Sequence, residues 1–410
     1  MKTFLVLGAG TAGTMIANKM ASHLDSAEWK VIIVDKHNFH YYQPGFLFIP
    51  FGVYHRDDVV KTKKQYINSK AEFILSDIEL IEPDASRVKL VKDNRVITYD
   101  YLVIATGCDI HPEQTEGMLG AGWRKNIFDF YTYEGAEALA GFLKTFQGGR
   151  LVINISEMPV KCPVAPLEFI LLADWYFKQR GIRNKVELVY ATPLSGAFTK
   201  PRASEAFGQM LTKRDIHVEA DFNIGEVDSS RNVIKSYDDR EIPYDLFITV
   251  PTNMGDPMIE RSGMGDDLNF IPTDNCTLQS KKWSNIWVMG DANNIPASKA
   301  GSVIHFQMEA VTKNILNHMK GKPMTAKFDG HSICFIESGN NKAALIDFNY
   351  QTEPLPGTYP VPVVGPFSLM QETTINHWGK LAFKWMYWNL MLKGIDVPLP
   401  SEMSMIGKRL

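Results

Sequence analysis

Two cysteines of this 410-residue chain lie in surroundings that could make a thiol reactive. Cys162 falls within residues 160–163 (VKCP), directly before a helix predicted to begin near Pro166. Because a helix N-terminus and a neighbouring lysine both stabilise a thiolate, we expect the pKa of Cys162 to be lowered. Cys334 falls far along the chain, within residues 331–335 (HSICF). Such thiols suit redox chemistry, and the alternative for either one alone is a buried, unreactive side chain.

The number of cysteines limits what else these thiols could do. Four cysteines in 410 residues are too few for the disulfide framework of a secreted domain. None forms a CxxC pair with metal-ligand spacing, so we predict no metal site. The other two, Cys108 and Cys276, are interpreted as structural, and any disulfide in this chain is expected to be catalytic.

A glycine-rich turn near the N-terminus predicts a dinucleotide site. Gly8, Gly10 and Gly13 form GxGxxG directly after a strand predicted at residues 3–7. The three glycines permit a tight turn, close approach of the backbone to a pyrophosphate, and close packing of helix on strand. Asp35 ends the following strand, where a carboxylate accepts hydrogen bonds from an adenosine ribose. The alternative is a glycine turn without a ligand.

Two further segments decide between FAD and NAD as the bound dinucleotide. Ala105, Thr106 and Gly107 follow one predicted strand, and Gly290 and Asp291 follow another. Both segments resemble motifs shared by flavoproteins with two dinucleotide-binding domains, where the second motif holds the ribityl chain and pyrophosphate of FAD. Three separated motifs in this order predict FAD as the cofactor.

The elements that must position these residues predict an α/β fold. It consists of two Rossmann-like dinucleotide-binding domains, followed by a C-terminal amphipathic region that associates with a membrane. Strands are predicted at residues 3–7, 31–34, 101–105, 151–155 and 286–289, and helices at 14–23, 166–180 and 303–319. The predicted domains are residues 1–112 and 285–322 for FAD, 113–284 for the second Rossmann-like domain, and 323–410 for the C-terminal region.

The second domain lacks the glycine motif that a nicotinamide cofactor needs. The corresponding stretch, residues 154–159 (NISEMP), has no glycine, and Glu157 would place a carboxylate where a pyrophosphate must lie. We therefore expect an electron donor other than NAD(P)H.

Composition excludes one class of partner and restricts another. The 43 lysines and arginines against 46 acidic residues give a net charge of -3, without the basic footprint that nucleic-acid binding requires. The apolar start of the chain breaks after Leu7 into the glycine turn, which favours a strand over a signal peptide. No uninterrupted apolar run reaches roughly 18 residues, so we expect any membrane contact to be peripheral.

A helix predicted near the C-terminus carries an aromatic stripe with lysines among it. Its large apolar residues recur at spacings of three and four, which places them on one helical face. They are Trp378, Leu381, Trp385, Trp388 and Leu392, and the lysines are Lys380, Lys384 and Lys393. Tryptophan and lysine on a short helix suit a membrane interface, so we predict a separate membrane-binding appendage. The alternative is a capping helix packed on the core.

Three blocks of the sequence resemble the sulfide:quinone oxidoreductases. They are residues 161–166 (KCPVAP), 328–334 (FDGHSIC) and 385–394 (WMYWNLMLKG), and the likeness covers nearly the whole chain in the family's order. It implies that sulfide is oxidised to sulfane sulfur or polysulfide and that a membrane quinone is reduced. It also implies that Cys162 and Cys334 face each other beside the flavin as a disulfide or polysulfide bridge, which hydrosulfide attacks.

The resemblance also implies roles for residues that no motif singles out. Glu168 would manage protons, with a helix-surface charge as the alternative. FAD would be noncovalent, since residues 109–161 contain no cysteine for a covalent link. The remaining residues are expected to contact a bound molecule: Gln43 and Lys299 the flavin, Ile78 the adenine region, and Phe335, Phe383 or Tyr387 the quinone.

Alternatives remain open at this stage. A type II NADH:quinone oxidoreductase shares the fold but needs the missing second glycine motif. A flavocytochrome c sulfide dehydrogenase shares the cysteines but pairs with a haem subunit. A non-catalytic FAD-binding protein is the third alternative. We expect a peripheral location on a prokaryotic cell membrane and contact with lipid through the C-terminal helix. The oligomeric state is left open, with a homo-oligomer as one alternative.

Overall fold

The strands of the protein form two five-stranded parallel sheets and several smaller sheets, and the glycine turn follows the central strand of the first parallel sheet. The computed structural model describes residues 1–360, 365–397 and 401–409. Its strands are β1 (Lys2–Leu7), β2 (Trp29–Asp35), β3 (Phe39–Tyr41), β4 (Val60–Thr62), β5 (Ala71–Leu75), β6 (Ile78–Glu82), β7 (Arg87–Leu90), β8 (Val96–Thr98), β9 (Tyr101–Ile104), β10 (Cys108–His111), β11 (Ile127–Phe128), β12 (Gly149–Ile155), β13 (Val186–Ala191), β14 (Ile216–Glu219), β15 (Ile224–Asp228), β16 (Val233–Ser236), β17 (Glu241–Pro243), β18 (Leu246–Val250), β19 (Thr252–Gly255), β20 (Ile286–Val288), β21 (Ser332–Gly339), β22 (Lys342–Phe348), β23 (Gly357–Tyr359) and β24 (Phe367–Leu369).

Most helices pack on one face of each parallel sheet, and the small sheets β6–β8 and β15–β17 pack on the opposite faces. The helices are α1 (Thr11–His23), α2 (Arg56–Val59), α3 (Tyr133–Thr145), α4 (Ala165–Gln179), α5 (Pro201–Thr212), α6 (Pro257–Arg261), α7 (Gly301–Met319) and α8 (Thr374–Asn389). Short 3-10 turns include Gln43–Phe48 and Met391–Lys393. No helix within the described residues has the length and apolar composition needed to cross a bilayer.

Two parallel sheets correspond to the two predicted Rossmann-like domains. The first has the strand order β20-β9-β1-β2-β5, and the second has the order β11-β18-β12-β13-β14. In the first, Leu5 of β1 pairs with Ile32 of β2 on one side and Leu102 of β9 on the other. Such central strands are buried on both faces, which explains their continuous apolar runs. The predicted α/β class and both sheets are confirmed.

Helix α6 and the residues after it contact the first sheet before the chain adds its last strand, β20, to that sheet. Met258 and Ile259 of α6, with Met264 and Ile271, share a buried cluster with Leu5. This cluster lies on one face of the sheet, and β20 joins the sheet's edge only afterwards. The chain therefore contacts the first domain before residue 285, the position at which the strand pattern predicted that it re-enters that domain.

The C-terminal region is a docked part of the molecule, so the prediction of a separate appendage was wrong. Strands β21, β22, β24 and β23 form a sheet in that order, and α8 packs on β22 and β24. Tyr387, Trp388, Met391 and Leu392 are buried in the same core cluster as the helices of both Rossmann-like domains. Burial of these large side chains stabilises the contact by about 1.5–3 kcal/mol for each one.

Candidate active site

The glycine turn has the shape that a dinucleotide phosphate requires. A Cβ on Gly8, which has φ +90°, would lie 2.4 Å from the carbonyl oxygen of Ala105. A Cβ on Gly13 would lie 1.7 Å from the carbonyl oxygen of Gly8, so only glycine allows α1 to pack this closely on β1. A Cβ on Gly10 would meet open space instead, which leaves room for a ligand at the N-terminus of α1.

Asp35 lies at the predicted position, and the structure adds a partner that the sequence analysis missed. One carboxylate oxygen, Oδ2, accepts a hydrogen bond from the N–H of Ala9 at 2.6 Å. The other, Oδ1, pairs with the buried Lys63 Nζ at 2.5 Å. Burial lowers the pKa of Lys63, and the carboxylate of Asp35 opposes that effect. Lys63 therefore holds the carboxylate beside the glycine turn.

The other two predicted FAD motifs lie at the carboxyl ends of neighbouring strands. Gly107 follows β9 with φ +74°, and Gly290 follows β20 with φ +67°. The N–H of Gly290 donates to Oε1 of Gln307 on α7 at 3.0 Å. The hydroxyl of Thr106 is buried and has no hydrogen-bond partner within the part of the chain that the structure describes. An orphaned donor next to the glycine turn fits a bound dinucleotide, since buried hydroxyls are normally satisfied.

Of the three residues expected to contact other parts of FAD, Lys299 and Ile78 are buried and Gln43 is exposed. Lys299 is buried, and its Nζ donates to the carbonyls of Asp291 at 2.9 Å and Asn293 at 2.6 Å. Burial lowers the pKa of Lys299, and the carboxylate of Asp291 opposes that effect. Gln43 is exposed at the start of its 3-10 turn, and Ile78 is buried in β6.

The two candidate redox cysteines lie on elements that pack against each other. Cys162 precedes α4 with φ +45°, and Cys334 lies on β21, which packs on α4. The N–H of Cys162 donates to the carbonyl of Lys299 at 2.7 Å, and Tyr131 donates from its hydroxyl to the Cys162 carbonyl at 3.3 Å. Both cysteines are free thiols in the structure.

The expected low pKa of Cys162 is wrong, because burial dominates. Burial raises the pKa of Cys162, although Lys380 and the N–H groups of Ala165 and Val164 at the start of α4 oppose it. Lys161 points elsewhere, and its Nζ donates to the carbonyl of Cys108 at 2.8 Å. The pKa of Cys334 is also raised by burial and by the nearby charge of Cys162. The helix N-terminus thus acts as predicted but is outweighed.

Glu168 is a buried charge rather than a helix-surface one. Its carboxylate pairs with Nζ of Lys380 on α8 and accepts a hydrogen bond from the N–H of Glu337 at 2.7 Å. Lys380 also donates to the carbonyl of Phe335 at 3.2 Å. Burial lowers the pKa of Lys380 to about 7, and the Cys162 thiolate opposes that effect. An ammonium with a pKa near neutrality can carry a proton beside the redox cysteines.

A second buried pair continues this line of polar groups toward the surface. The side chain of Glu337, the residue after Ile336 on β21, accepts from Nδ1 of His377 at 2.9 Å. Burial raises the pKa of Glu337, and His377 opposes the effect. His377 is 14% exposed and precedes the exposed Trp378. Lys380 and Glu168 thus form one pair and His377 and Glu337 another, and the two pairs are joined by the hydrogen bond from the backbone N–H of Glu337 to Glu168.

Replacing Lys380 with methionine should move the reactivity of Cys162 to higher pH. Removal of the ammonium takes away the cation that favours the thiolate, so the pKa of Cys162 rises further. We expect alkylation of Cys162 by iodoacetamide to become roughly tenfold slower at neutral pH, because one pKa unit changes the thiolate fraction tenfold. Peptide mass spectrometry over a pH series measures this rate.

Lys384→Met is the matched control for Lys380→Met. Lys384 lies one turn further along α8, but its Nζ pairs with Asp58 at 2.8 Å. Its loss should leave the alkylation profile of Cys162 unchanged. Glu168→Gln combined with Lys380→Met removes the carboxylate that the single variant leaves buried without its partner. An unshifted profile in both Lys380 variants would rule out this electrostatic link.

Three aromatic residues were expected to contact a quinone, but the ring of one of them, Tyr387, is too deeply buried to do so. Tyr387 is 1% exposed, and its hydroxyl is hydrogen-bonded to Thr11 Oγ1 at 2.7 Å and His40 Nε2 at 2.6 Å. Phe335 and Phe383 are half-buried. The ring of Phe335 lies edge-on to Phe367 at 5.6 Å between centroids, against Gly379 of α8. Only Phe335 and Phe383 keep ring surface that a planar molecule could reach.

The second Rossmann-like domain has side chains where a pyrophosphate would need open backbone. Glu157 follows β12, and its carboxylate accepts from the hydroxyl of Thr252 at 3.3 Å. Ser156 is buried, and its N–H donates to the carbonyl of Val250 at 2.9 Å. The backbone and a side chain of this turn are thus hydrogen-bonded to the strands β18 and β19, in agreement with the absence of glycine in the sequence.

Comparisons with known proteins relate the whole chain to oxidoreductases. The family model described as pyridine nucleotide-disulphide oxidoreductase matches residues 2–153. A mitochondrial sulfide:quinone oxidoreductase of Dictyostelium discoideum is 28% identical over 396 residues, which cover 95% of this chain and 86% of the relative. The likeness to the sulfide:quinone oxidoreductases is confirmed. The chain is an FAD-dependent oxidoreductase.

A solved structure of a sulfide:quinone oxidoreductase has the same fold as this chain. The crystal structure of the sulfide:quinone oxidoreductase from Aquifex aeolicus superposes with a TM-score of 0.80 at 21% identity, covering 97% of this chain and 93% of that one. The type II NADH:quinone oxidoreductase alternative has weaker support. A member from Staphylococcus epidermidis is 28% identical over only 107 residues, or 26% of each chain.

Proposed function

We propose that this chain is a sulfide:quinone oxidoreductase that uses noncovalently bound FAD. The observation that carries the proposal is the joint position of Cys162, Cys334 and the Lys380–Glu168 pair between the FAD motifs and α8. The full-length likeness to named sulfide:quinone oxidoreductases supports the same activity. A donor other than NAD(P)H agrees with the closed turn at Glu157.

The proposed chemistry begins at a bridge between Cys162 and Cys334. Hydrosulfide attacks the bridge, an S–S bond forms on one cysteine, and the bond between the cysteines breaks. The sulfide sulfur is thereby oxidised to a persulfide, and the other cysteine leaves as a thiolate that carries the electron pair. The thiolate sulfur then bonds to the outer sulfur of the persulfide, which loses its proton, and the bridge is closed again with the release of two electrons. FAD, when bound, would take up these electrons and pass them to a quinone, and the same two-electron oxidation would form the first bridge from the two free thiols.

The side chains around the cysteines would handle the accompanying charge and protons. Lys380 is the cation that stabilises a thiolate at Cys162. The pair of Lys380 Nζ with Glu168 can hold or release a proton at neutral pH, since the Lys380 pKa is about 7. Lys299 would supply positive charge near Asp291, on the flavin side. Formation of a quinol consumes two protons, and Lys380 would supply one of them.

A quinone would reach the flavin beside α8. Phe335 and Phe383 have partly exposed rings at this side, and Lys380 donates to the carbonyl of Phe335. A half-buried pocket of aromatic side chains with one cation suits a ring that carries two carbonyl groups. We assign the quinone to this site, from which Tyr387 is excluded by its burial.

An anaerobic titration tests the proposed function. Purified protein with FAD is mixed with sulfide, the flavin absorbance is followed, and a soluble quinone is then added. We expect bleaching with sulfide and recovery with quinone, and little bleaching with NADH. Rapid bleaching with NADH alone would favour a type II NADH:quinone oxidoreductase, and an oxidised flavin under all donors would favour a non-catalytic role.

We also propose that α8 binds a membrane surface through only part of the aromatic stripe that spacing predicted. Trp378 and Trp385 are 63% and 61% exposed, and Ile375 on the same side is 51% exposed. Trp388 and Leu392 are buried against the core, and Lys384 pairs with Asp58. The proposed lipid face is thus narrower and lies on the outward side of a docked helix.

Replacing Trp378 and Trp385 with alanine should weaken binding to vesicles. Burial of an indole in the interface is favourable, so we expect the double variant to bind phosphatidylcholine–phosphatidylglycerol vesicles at least about tenfold less tightly. Co-sedimentation measures the binding. Tyr237→Ala is the control, because Tyr237 is 80% exposed but lies in the second Rossmann-like domain. Equal binding of both variants would exclude α8 as the lipid contact.

The membrane that carries the protein is a separate point. The relative from Dictyostelium discoideum is named mitochondrial, whereas the sequence analysis expected a prokaryotic cell membrane. We propose only a peripheral position on a membrane that contains quinone.

A further inference from the structure

The buried hydroxyl of Tyr387 connects the C-terminal helix to the glycine turn. Thr11, its first partner, is the first residue of α1 and follows Gly10 directly. His40, its second partner, is a fully buried residue of β3. The three side chains come from parts of the chain that are far apart in sequence, yet they form one hydrogen-bonded group with distances of 2.6 and 2.7 Å.

This group lies beside the carboxylate that was expected to hold the adenosine ribose. Burial and the charge of Lys63 lower the pKa of His40 to about 3, although the backbone of Ala9 and the charge of Asp35 oppose them. The imidazole is therefore neutral and serves as a fixed hydrogen-bond partner for Tyr387 rather than as a charge. On the next strand, Lys61 pairs in register with His40 and places its Nζ 4.7 Å from the ring centroid of Trp388.

The residues after Tyr387 hold the rest of α1 in the same way. The side-chain amide of Asn18 donates to the carbonyls of Leu392 at 2.6 Å and Tyr66 at 2.5 Å. Lys19 Nζ pairs with Asp396. The segment 387–396 thus contacts both the first residue and the middle of the helix whose N-terminus faces the dinucleotide phosphate.

We propose that Tyr387 is a positioning residue for FAD, which fixes Thr11 at the N-terminus of α1 so that the glycine turn keeps its phosphate-binding shape. Docking of α8 and retention of the cofactor are then linked through one hydroxyl. The inference rests on the FAD assignment and not on the identity of the electron donor or acceptor.

Tyr387→Phe removes this hydroxyl and keeps the packed ring. We expect FAD to dissociate about five- to tenfold faster from the purified holoprotein, as expected for the loss of one buried hydrogen bond. The recovery of free-flavin fluorescence after dilution measures the rate without sulfide or quinone. Thr11→Val should give a similar increase, and the double variant should add little to either single one.

Two comparisons distinguish cofactor positioning from a general loss of stability. Tyr237→Phe is the matched control, since it removes the hydroxyl of an exposed tyrosine in the second Rossmann-like domain, and it should release FAD at the original rate. A positioning role predicts that Tyr387→Phe reduces the stabilisation that added FAD gives against thermal unfolding. A purely structural role lowers the unfolding temperature equally with and without FAD, and that result or an unchanged release rate overturns the proposal. Failure of sulfide to bleach the flavin would contradict the proposed function but leave this result standing.

Discussion

Cys162→Ser and Cys334→Ser should each lose sulfide-driven reduction of the flavin by roughly a thousand-fold or more, as when one member of a joint catalytic unit is removed. A serine hydroxyl cannot form the sulfur–sulfur bond that receives hydrosulfide, so the first step has no electrophile. Both variants should retain FAD, because the glycine turn and the motifs at Thr106 and Asp291 are untouched. Stopped-flow absorbance with anaerobic sulfide measures the rate.

Cys276→Ser is the control for these two variants. Cys276 is a half-buried free thiol, and its carbonyl accepts from the N–H of Phe328. It should be reduced by sulfide at the original rate, and dithionite should bleach the flavin in all three variants. Normal sulfide turnover in both Cys162→Ser and Cys334→Ser would refute the proposed route. Loss in only one of them would show that the cysteines act separately rather than as a bridge.

Lys408→Met should destabilise the protein by about 3–5 kcal/mol, because it leaves a buried carboxylate without its cation. Nζ of Lys408 pairs with Asp347 Oδ2 at 2.7 Å, and both side chains are 1% exposed. The other oxygen of Asp347 contacts His331 Nε2 at 2.9 Å. The ring of His331 stacks on Phe306 of α7 with 4.0 Å between centroids. The chain's C-terminal residues are thereby tied to β22 and α7.

Urea unfolding of the FAD-loaded protein measures this effect as a lower midpoint. Lys393→Met is the control, since Lys393 is an exposed lysine of the same region, and it should change the midpoint little. Asp347→Asn with Lys408→Met removes both charges and should recover part of the loss, since the neutral pair has no uncompensated carboxylate. A midpoint of Lys408→Met equal to that of Lys393→Met would show that the C-terminal residues do not stay docked in solution.

Local patterns in the sequence correctly predicted the glycine turn and the strands around it. The GxGxxG turn, the strands on either side of it and the positions of Gly107 and Gly290 follow from steric limits that act within a few residues. The start of α4 was predicted at Pro166 and lies at Ala165, because proline in the first turn is a local signal. The missing glycine in the second domain was equally visible, and Glu157 lies where the pattern placed it.

The charged groups that surround the candidate site residues were not predicted correctly from the sequence. Lys161 is next to Cys162 in sequence, yet Lys380 is the lysine whose charge favours its thiolate. Glu168 has no nearby sequence partner, and its ion pair joins α4 to α8. Lys63 beside Asp35 is another such pair. Neither the distance between charges separated by hundreds of residues nor the degree of burial can be obtained from spacing along one chain.

The aromatic stripe of α8 shows the same limit for an amphipathic helix. Spacings of three and four correctly predicted a helix with Trp378, Trp385 and Trp388 on it. The stripe is broad enough to be divided, and the fold buries Trp388 while it leaves the other two in solvent. Periodicity gives the direction of a side chain around the helix axis, and only the packed neighbours determine which directions are covered.

The sequence by itself determined the glycine turn and the strands that would hold FAD, and the α/β class, and it singled out two candidate redox cysteines, since each depends on residue type and short-range geometry. The tertiary structure decided which charges surround those cysteines, that burial raises their pKa values, and that the C-terminal helix is part of the core. Those properties arise from contacts between α4, β21 and α8. Such contacts exist only once the hydrophobic core has brought distant segments together.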